Sequence, residues 1–423
     1  MFTYPYLRNH GFLLYKDMVH PYPPVLTMVL AYIYKLFGYS EIVLKTFTWT
    51  LILFSSTLVW LLSKKITKSN LIAGLSLGIY VVAQPLLEGN MLWPDIAIVP
   101  PLLLGAIFLL DKKYFWAGLF LALSGFIKQT GGLFYLAFLF YLIFNKVGFK
   151  QIKLYLIGPF IFGVPLFIRL LQEGALQGFL NWVIIYPAVY WSKFPGYVQM
   201  AITKSQALIL ALLLFPILFA KSQIKSREWQ ILLIFIGLSL ISVYPRFSFF
   251  HLQSLIAFSA VAFGLAWSHS KTKGRLFLMI SVFLLVWRIL PGVKYDWQKE
   301  TRFLGESDKK LASEISNTFY FARKKPVYFL GLNSNLYQLT NTLPPKPWAD
   351  NFGWYWEVPR LQGEYLEAWE QNPPQVIFWR KPSSGNWYDL GVYQPEKIVD
   401  YIKTNYSFER DLNNEVQIWR RNH

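Results

Sequence analysis

No cysteine occurs anywhere in the 423 residues, so no disulfide staples this fold. Charge is scarce too: Asp, Glu, Lys and Arg make up 15% of the chain, where a water-soluble domain carries about a quarter. What charge there is leans one way, with 23 acidic residues against 41 Lys and Arg and a formal net charge of +18. Ahead of Tyr4 there is no charged region, short apolar run and small-residue cleavage site of the kind that marks a secretory signal. No internal repeat or low-complexity tract is visible, which withholds support from a transporter built of paired inverted halves. Nor is there a basic stripe with interleaved recognition elements, so nucleic acid is not the partner behind the excess of cations.

What the chain has instead is apolar sequence, 54% of its residues, and a mean hydropathy of +0.34. Apolar stretches suited to crossing hydrocarbon as helices run over 43–62, 71–87, 96–110, 114–127, 133–144, 154–171, 207–220, 231–244, 247–267 and 276–290. The expected class is a polytopic α-helical membrane protein with about ten spans. Several stretches are shorter than about 18 residues and are supported mainly by the loops that separate them.

Those loops alternate in charge. Lys64, Lys65 and Lys68 form one basic turn; Lys112 and Lys113 the next; then Lys146, Lys150 and Lys153; Lys221, Lys225 and Arg227; and Lys271, Lys273 and Arg275. Two spans separate each from the next, the positive-inside pattern of cytoplasmic turns, and anionic lipid headgroups account for more of the net charge. The intervening turns, holding Glu88 and Asp95, Lys128 and Gln129, the segment 172–205, and Pro245 with Arg246, are then expected outside. The same bookkeeping makes 23–38 an interfacial juxtamembrane helix rather than a span, since crossing would put every later basic loop on the wrong side. Residues 1–42 become an outer loop, and a further span is expected to precede Met1.

Hydropathy falls away after Leu290. The expected division is a transmembrane region over 1–292 and a small extracytoplasmic α/β domain over 293–423. That domain carries strand-like runs at 327–330, 375–379 and 416–419 and helical patterns at 310–322 and 362–371.

The order of motifs resembles a family. Tyr4-Pro5-Tyr6-Leu7-Arg8-Asn9, then Leu14-Tyr15-Lys16-Asp17 and His20-Pro21-Tyr22-Pro23-Pro24, resembles the first outer loop of GT-C membrane glycosyltransferases. The branch is that of protein O-mannosyltransferases, lipid A aminoarabinose transferases and bacterial glycosyltransferases of lipopolysaccharide cores. Gly125-Phe126-Ile127-Lys128-Gln129-Thr130 resembles the family's lysine turn, and Pro245-Arg246-Phe247 through His251 its late helix start. The tail, with 327–331, Leu336-Tyr337 and Pro344-Pro345, resembles its outer domain. The resemblance implies a sugar donor carried on polyprenyl phosphate, a lipid, glycan or protein acceptor outside the cytoplasm, inversion at the anomeric carbon, and a place in the plasma (inner) membrane.

Such chemistry needs a carboxylate to deprotonate the acceptor and cations to hold a phosphate that gains charge as the glycosidic bond breaks. The family's usual base lies a few residues before the stretch matching Phe2 to Asn9, and is expected upstream of Met1. Asp17 matches the second acidic position and is a candidate for acceptor, metal or base; otherwise it caps its own loop. Asp95, after Pro94 in the first turn of a span, is the second catalytic candidate, or simply a favourable charge on the helix dipole. Lys128 and Arg246 break the charge asymmetry on the cation-poor side; with His251 they are the expected donor-phosphate ligands, though Lys128 also suits snorkelling and His251 packing. His20, Glu88, Gln129, Tyr190 and Trp191 are candidates for acceptor or sugar contact. A divalent cation is conceivable, but Asp17 and His20 alone fall short of a site. The aromatic segment 182–197 fits a lid over a lipid-linked sugar or an ordinary interfacial belt, and Trp348, Trp354 and Trp356 fit carbohydrate contact or core packing. Two other readings compete: a lipid-linked oligosaccharide ligase or polymerase, and a lipid-linked sugar transporter.

Overall fold

The computed structural model describes residues 1–220, 223–297, 303–318, 325–386 and 389–422. Lys221 of the fourth basic loop and the end of the expected helix at 310–322 lie outside them. The chain divides into two compact units, one over 44–166 and 199–303, the other over 1–43, 167–198 and 304–423.

The first unit is a helix bundle. Every one of the ten apolar stretches is mostly helical: Glu41–Thr67, Asn70–Gln84, Pro94–Ala97 with Val99–Leu110, Tyr114–Ile127, Gly131–Phe144, Phe149–Gln172, Lys204–Leu214, Arg227–Ile241, Gln253–His269 and Thr272–Trp297. Five helices among the described residues are long and apolar enough to cross a membrane. The bundle is arranged around the Gln253–His269 helix, in which every residue from Gln253 to Ala266 is buried. Its run Ser259-Ala260-Val261-Ala262 and its Gly264 are small, which lets neighbouring backbones approach, as helix contacts in lipid require. A Cβ at Gly264 would lie 2.4 Å from the hydroxyl of Ser76, which hydrogen-bonds Ser63 at 2.9 Å. Elsewhere the Tyr114–Ile127 and Phe149–Gln172 helices meet backbone to backbone: a Cβ on Gly158 would sit 2.4 Å from the carbonyl carbon of Gly118.

Three of the basic loops gather at one end of this bundle. Lys65 pairs with Asp111 at 2.6 Å, and the Arg227 guanidinium donates to the carbonyl of Leu109 at 2.6 Å. Asp95 begins the helical stretch that ends at Asp111, so at 1.5 Å per residue it lies about 24 Å away, toward the other end. The turns at Lys65, Asp111 and Arg227 thus share one end of the bundle, and Asp95 lies toward the other.

The second unit holds a four-stranded sheet: β1 (Val327–Leu330), β2 (Val376–Arg380), β3 (Tyr406–Asp411) and β4 (Val416–Arg421), in the order β1-β2-β4-β3. β1 and β2 are parallel, with Val327 opposite Val376; β4 runs antiparallel to both β2 and β3. Helices Glu306–Thr318, Leu361–Gln371 and Glu396–Asn405 accompany it. β3 and the Glu396–Asn405 helix have no counterpart in the sequence expectation. The strand is a polar edge in which only Tyr406 is buried, and the helix buries just Ile398 and Ile402, so neither reads as apolar.

This unit is wider than the expected domain over 293–423, for it takes in residues 1–43 and 167–198. The first loop adds itself by backbone: the amide of Val19 donates to the Trp348 carbonyl and the amide of Trp348 to the Asp17 carbonyl, both at 2.9 Å. Tyr15 packs edge-on against Phe179 at 5.2 Å. The aromatic segment does likewise, with Trp191 buried against Tyr355 at 5.1 Å and Tyr197 beside Trp354 at 5.4 Å. Trp348, Trp354 and Trp356 are buried, which gives them the core-packing role of the two considered. The Val25–Phe37 helix buries Leu26, Leu30 and Tyr34 and leaves Tyr32, Leu36 and Phe37 exposed.

His20 sits in this core. Its Nδ1 lies 2.7 Å from the Tyr22 carbonyl and its Nε2 2.8 Å from the Thr27 hydroxyl, with Tyr4 and Tyr15 edge-on to the ring. Nδ1 therefore donates and Nε2 accepts, the arrangement of a neutral imidazole. Burial lowers its pKa from the ordinary 6.5 to about 4. Between these values only the unfolded chain binds the proton, so stability is full above about pH 6.5 and falls as pH drops toward 4. The expected loss is about 3 kcal/mol at most. Denaturant unfolding of the detergent-solubilised protein against pH should show it, and His20→Gln should flatten that part of the profile; an unchanged profile would refute a buried neutral His20.

Candidate functional site

At the end of the bundle away from Lys65 and Arg227, three chain segments bring an acid, an amine and an imidazole together. Trp93 is extended and Pro94 opens the following helix, where its missing amide proton costs nothing, so Asp95 stands in the first helical turn, where a carboxylate is favoured. The Tyr114–Ile127 helix stops at Lys128, whose backbone is extended, and the amide of Gly131 closes the turn onto the Lys128 carbonyl at 2.8 Å. Only glycine fits there, since a Cβ on Gly131 would lie 2.3 Å from the Ser124 carbonyl. His251 comes from the short turn Phe249–Leu252 that leads into the central helix. Trp93 stacks on Phe250 at 4.7 Å and brings the Asp95 and His251 segments side by side.

Lys128 Nζ donates to Asp95 Oδ1 at 2.5 Å, and His251 Nδ1 lies 3.4 Å from both the amine and that oxygen. The Lys128 and Asp95 side chains are 6% and 4% exposed, that of His251 14%. Each buried charge is thus matched by the other, and neither is tolerable alone. An ammonium has three donors, of which the carboxylate takes one, leaving capacity for a further acceptor.

Glu88 lies one turn away and is held differently. It adopts a left-handed backbone, φ 60°, rare for a residue with a side chain, and its carboxylate accepts from the Ser248 hydroxyl and from the Phe250 amide, the latter at 3.0 Å. Gln84 donates to the Gly89 carbonyl at 2.8 Å and to Gln253 at 3.1 Å, while Gln253 donates to the Leu87 carbonyl at 2.8 Å. Gln84 and Ser248 were not singled out in the sequence. A glutamine inside an otherwise apolar helix was the available signal, because a buried amide demands partners. Together these bonds fix the turn that carries His251, and they give Glu88 a structural task.

Arg246 is half-buried five residues ahead of His251, in a short backbone pairing where the amide of Phe247 donates to the Gln199 carbonyl at 2.8 Å and the amide of Gln199 to the Pro245 carbonyl at 2.9 Å. Gln129, beside Lys128, is partly buried.

The remaining candidates belong to the sheet-containing unit. Asp17 closes its own loop, accepting from the Leu13 amide at 2.9 Å and from Lys346 at 2.8 Å; Lys346 also donates to the Gly11 carbonyl. With both ring nitrogens of His20 engaged by Tyr22 and Thr27, Asp17 and His20 form no ligand pair, and among the described residues no group of three or more His, Asp or Glu assembles as a metal site. Trp191 is a core residue, and Tyr190 packs beside Tyr186 at 5.6 Å.

Breaking the buried pair on one side leaves an uncompensated charge, so Asp95→Asn and Lys128→Met should each cost about 3–5 kcal/mol. The double substitution should recover most of that loss. Denaturant unfolding in detergent measures all three; strictly additive losses would mean that the two side chains do not pair.

No family model and no curated protein sequence matches the chain. Solved structures do. A crystal structure of ArnT from Cupriavidus metallidurans bound to undecaprenyl phosphate superposes with a TM-score of 0.61 at 13% identity, covering 94% of this chain and 87% of that one. The apo state of the same protein gives 0.61 at 11% identity over 99% and 92%. At such identity the likeness speaks for the fold, and the fold agrees with the GT-C, aminoarabinose transferase-like branch that the motifs resemble.

Proposed function

We propose that this chain, which folds as ArnT does, is a membrane glycosyltransferase that moves a sugar from a polyprenyl phosphate carrier to an acceptor on the extracytoplasmic face of the inner membrane. The observation that carries the proposal is the buried meeting of Lys128, Asp95 and His251 at the bundle end remote from the Lys65 and Arg227 loops. A neighbour of the same fold is a complex with undecaprenyl phosphate, which supports a donor of that chemical class.

In this reading the glycosidic C–O bond breaks as the acceptor oxygen attacks from the opposite face, and the leaving polyprenyl phosphate gains a negative charge. A cation already desolvated and held in place stabilises that charge without reorganising at the moment of reaction. Lys128 fills this role, with a donor to spare beyond Asp95. His251 adds a hydrogen bond to the phosphate, and Arg246 offers a planar fork to its oxygens. Asp95 serves as the counter-ion that allows Lys128 to stay charged in a buried place, which makes it a poor base while the pair is intact. Asp17, already engaged by Lys346 and the Leu13 amide, is a candidate to take the acceptor proton only on the strength of the family resemblance of its loop. Glu88, His20 and Trp191, with structural partners of their own, drop to supporting roles.

Lys128→Gln and Arg246→Ala should each lower transfer by about a hundredfold to a thousandfold, as loss of a single transition-state donor does. The assay uses membranes supplied with labelled polyprenyl-phosphate sugar and normalises to protein abundance. Turnover within a few fold of wild type would remove the residue from the donor site.

A further inference from the structure

The sheet-containing unit carries a second concentration of cations, remote in sequence from Lys128 and unused by the proposed reaction. Arg8, at the end of the short helix Thr3–Asn9, donates to Glu173 Oε1 at 3.0 Å. Arg169, in the last turn of the Phe149–Gln172 helix, donates to the same oxygen at 3.0 Å. The Lys16 amine lies beside Gly174, 3.6 Å from where a Cβ would project. Two guanidiniums thus share one carboxylate oxygen and a third cation lies beside the next residue, an excess of two positive charges on the side of the charge pattern where cations are otherwise few.

The surroundings say what kind of anion this excess would meet. Phe167, Ile168 and Leu171, next to Arg169 on the same helix, are 51%, 48% and 53% exposed, and the apolar window of that helix has only 17% of its length buried in protein. Such a surface is covered by acyl chains, and an arginine in the helix's last turn then lies at headgroup depth. There the abundant anion is phosphate. Each guanidinium has five N–H donors, of which the shared carboxylate oxygen uses one, so both keep a fork for phosphate oxygens. The side chains of Arg8 and Arg169 are 19% and 37% exposed, accessible from outside yet held in orientation by Glu173.

We propose that Arg8, Lys16 and Arg169, arranged by Glu173, form a binding site for the phosphate group of an acidic membrane lipid. Glu173 has a double function: it orients the guanidiniums and, as an anion, limits the affinity. That sign separates a ligand site from an ion pair that merely fastens two helices.

The test is retention of phosphatidylglycerol by the full-length protein in native mass spectrometry, with thermal unfolding of each variant followed in parallel. Arg8→Gln and Arg169→Gln should each lower the bound fraction about tenfold, the worth of one charge-assisted hydrogen bond. Glu173→Gln should raise retention, a gain that misfolding cannot produce. Phosphatidylcholine should be held less well than phosphatidylglycerol, and inorganic phosphate should fail to displace the lipid. Equal retention of phosphatidylglycerol by wild type and all three variants, a loss in Glu173→Gln, or full displacement by inorganic phosphate would each overturn the proposal.

Discussion

A lysine and an aspartate buried against each other, with an imidazole touching both, are the constraint around which the helical unit is organised. Moving two charges out of water is costly, and each is tolerated only because the other stands within hydrogen-bond reach. That requirement propagates into the backbone. Lys128 must leave its helix at the right residue, which needs Gly131 where no Cβ fits; Asp95 must stand in a helical first turn, which Pro94 begins; and His251 must be presented by a turn that Glu88, Gln84 and Gln253 pin from the side. The chemistry proposed for the site uses what this arrangement leaves over: a desolvated cation with a donor still to give.

The bundle that supports it is assembled from close approach more than from large side chains. Gly118 and Gly158 let two helices touch backbone to backbone, and the small residues of the central helix do the same around Gly264. In a lipid environment, where apolar side chains gain little by leaving the solvent, such contacts are what holds helices in register. The sheet-containing unit works by the opposite means. Its core is aromatic, with Trp348, Trp356 and Trp369 fully buried, and the loop around Asp17 is fastened to it by backbone hydrogen bonds through Trp348.

Much of this was legible before any coordinates. Ten apolar stretches located the helices because hydropathy reports burial in lipid or protein alike, and two of the basic turns set at one end by their charge do meet, through the Lys65–Asp111 pair. The same charge asymmetry drew attention to Lys128 and Arg246, and the motif that Arg246 opens drew it to His251. What the sequence left hidden was pairing: nothing in the spacing of Asp95, Lys128 and His251 says that one oxygen is shared by an amine and an imidazole. Asp17, chosen by its place in a motif, turned out to close its own loop, and His20 to be a neutral core residue, because the partners that decide such roles, Lys346, Tyr22 and Thr27, are set by tertiary structure. β3 escaped notice for a simpler reason, being a polar edge with one buried residue.

The most direct measurement of the central claim is zero-length cross-linking of the native protein with an apolar carbodiimide, which joins a carboxylate to an amine only where the two already touch. Mapped by mass spectrometry, the product should contain an isopeptide bond between Asp95 and Lys128, alongside the Lys65–Asp111 bond as an internal control at 2.6 Å. Formation of the control without the Asp95–Lys128 bond, or Lys128 joined to a different carboxylate, would contradict the account.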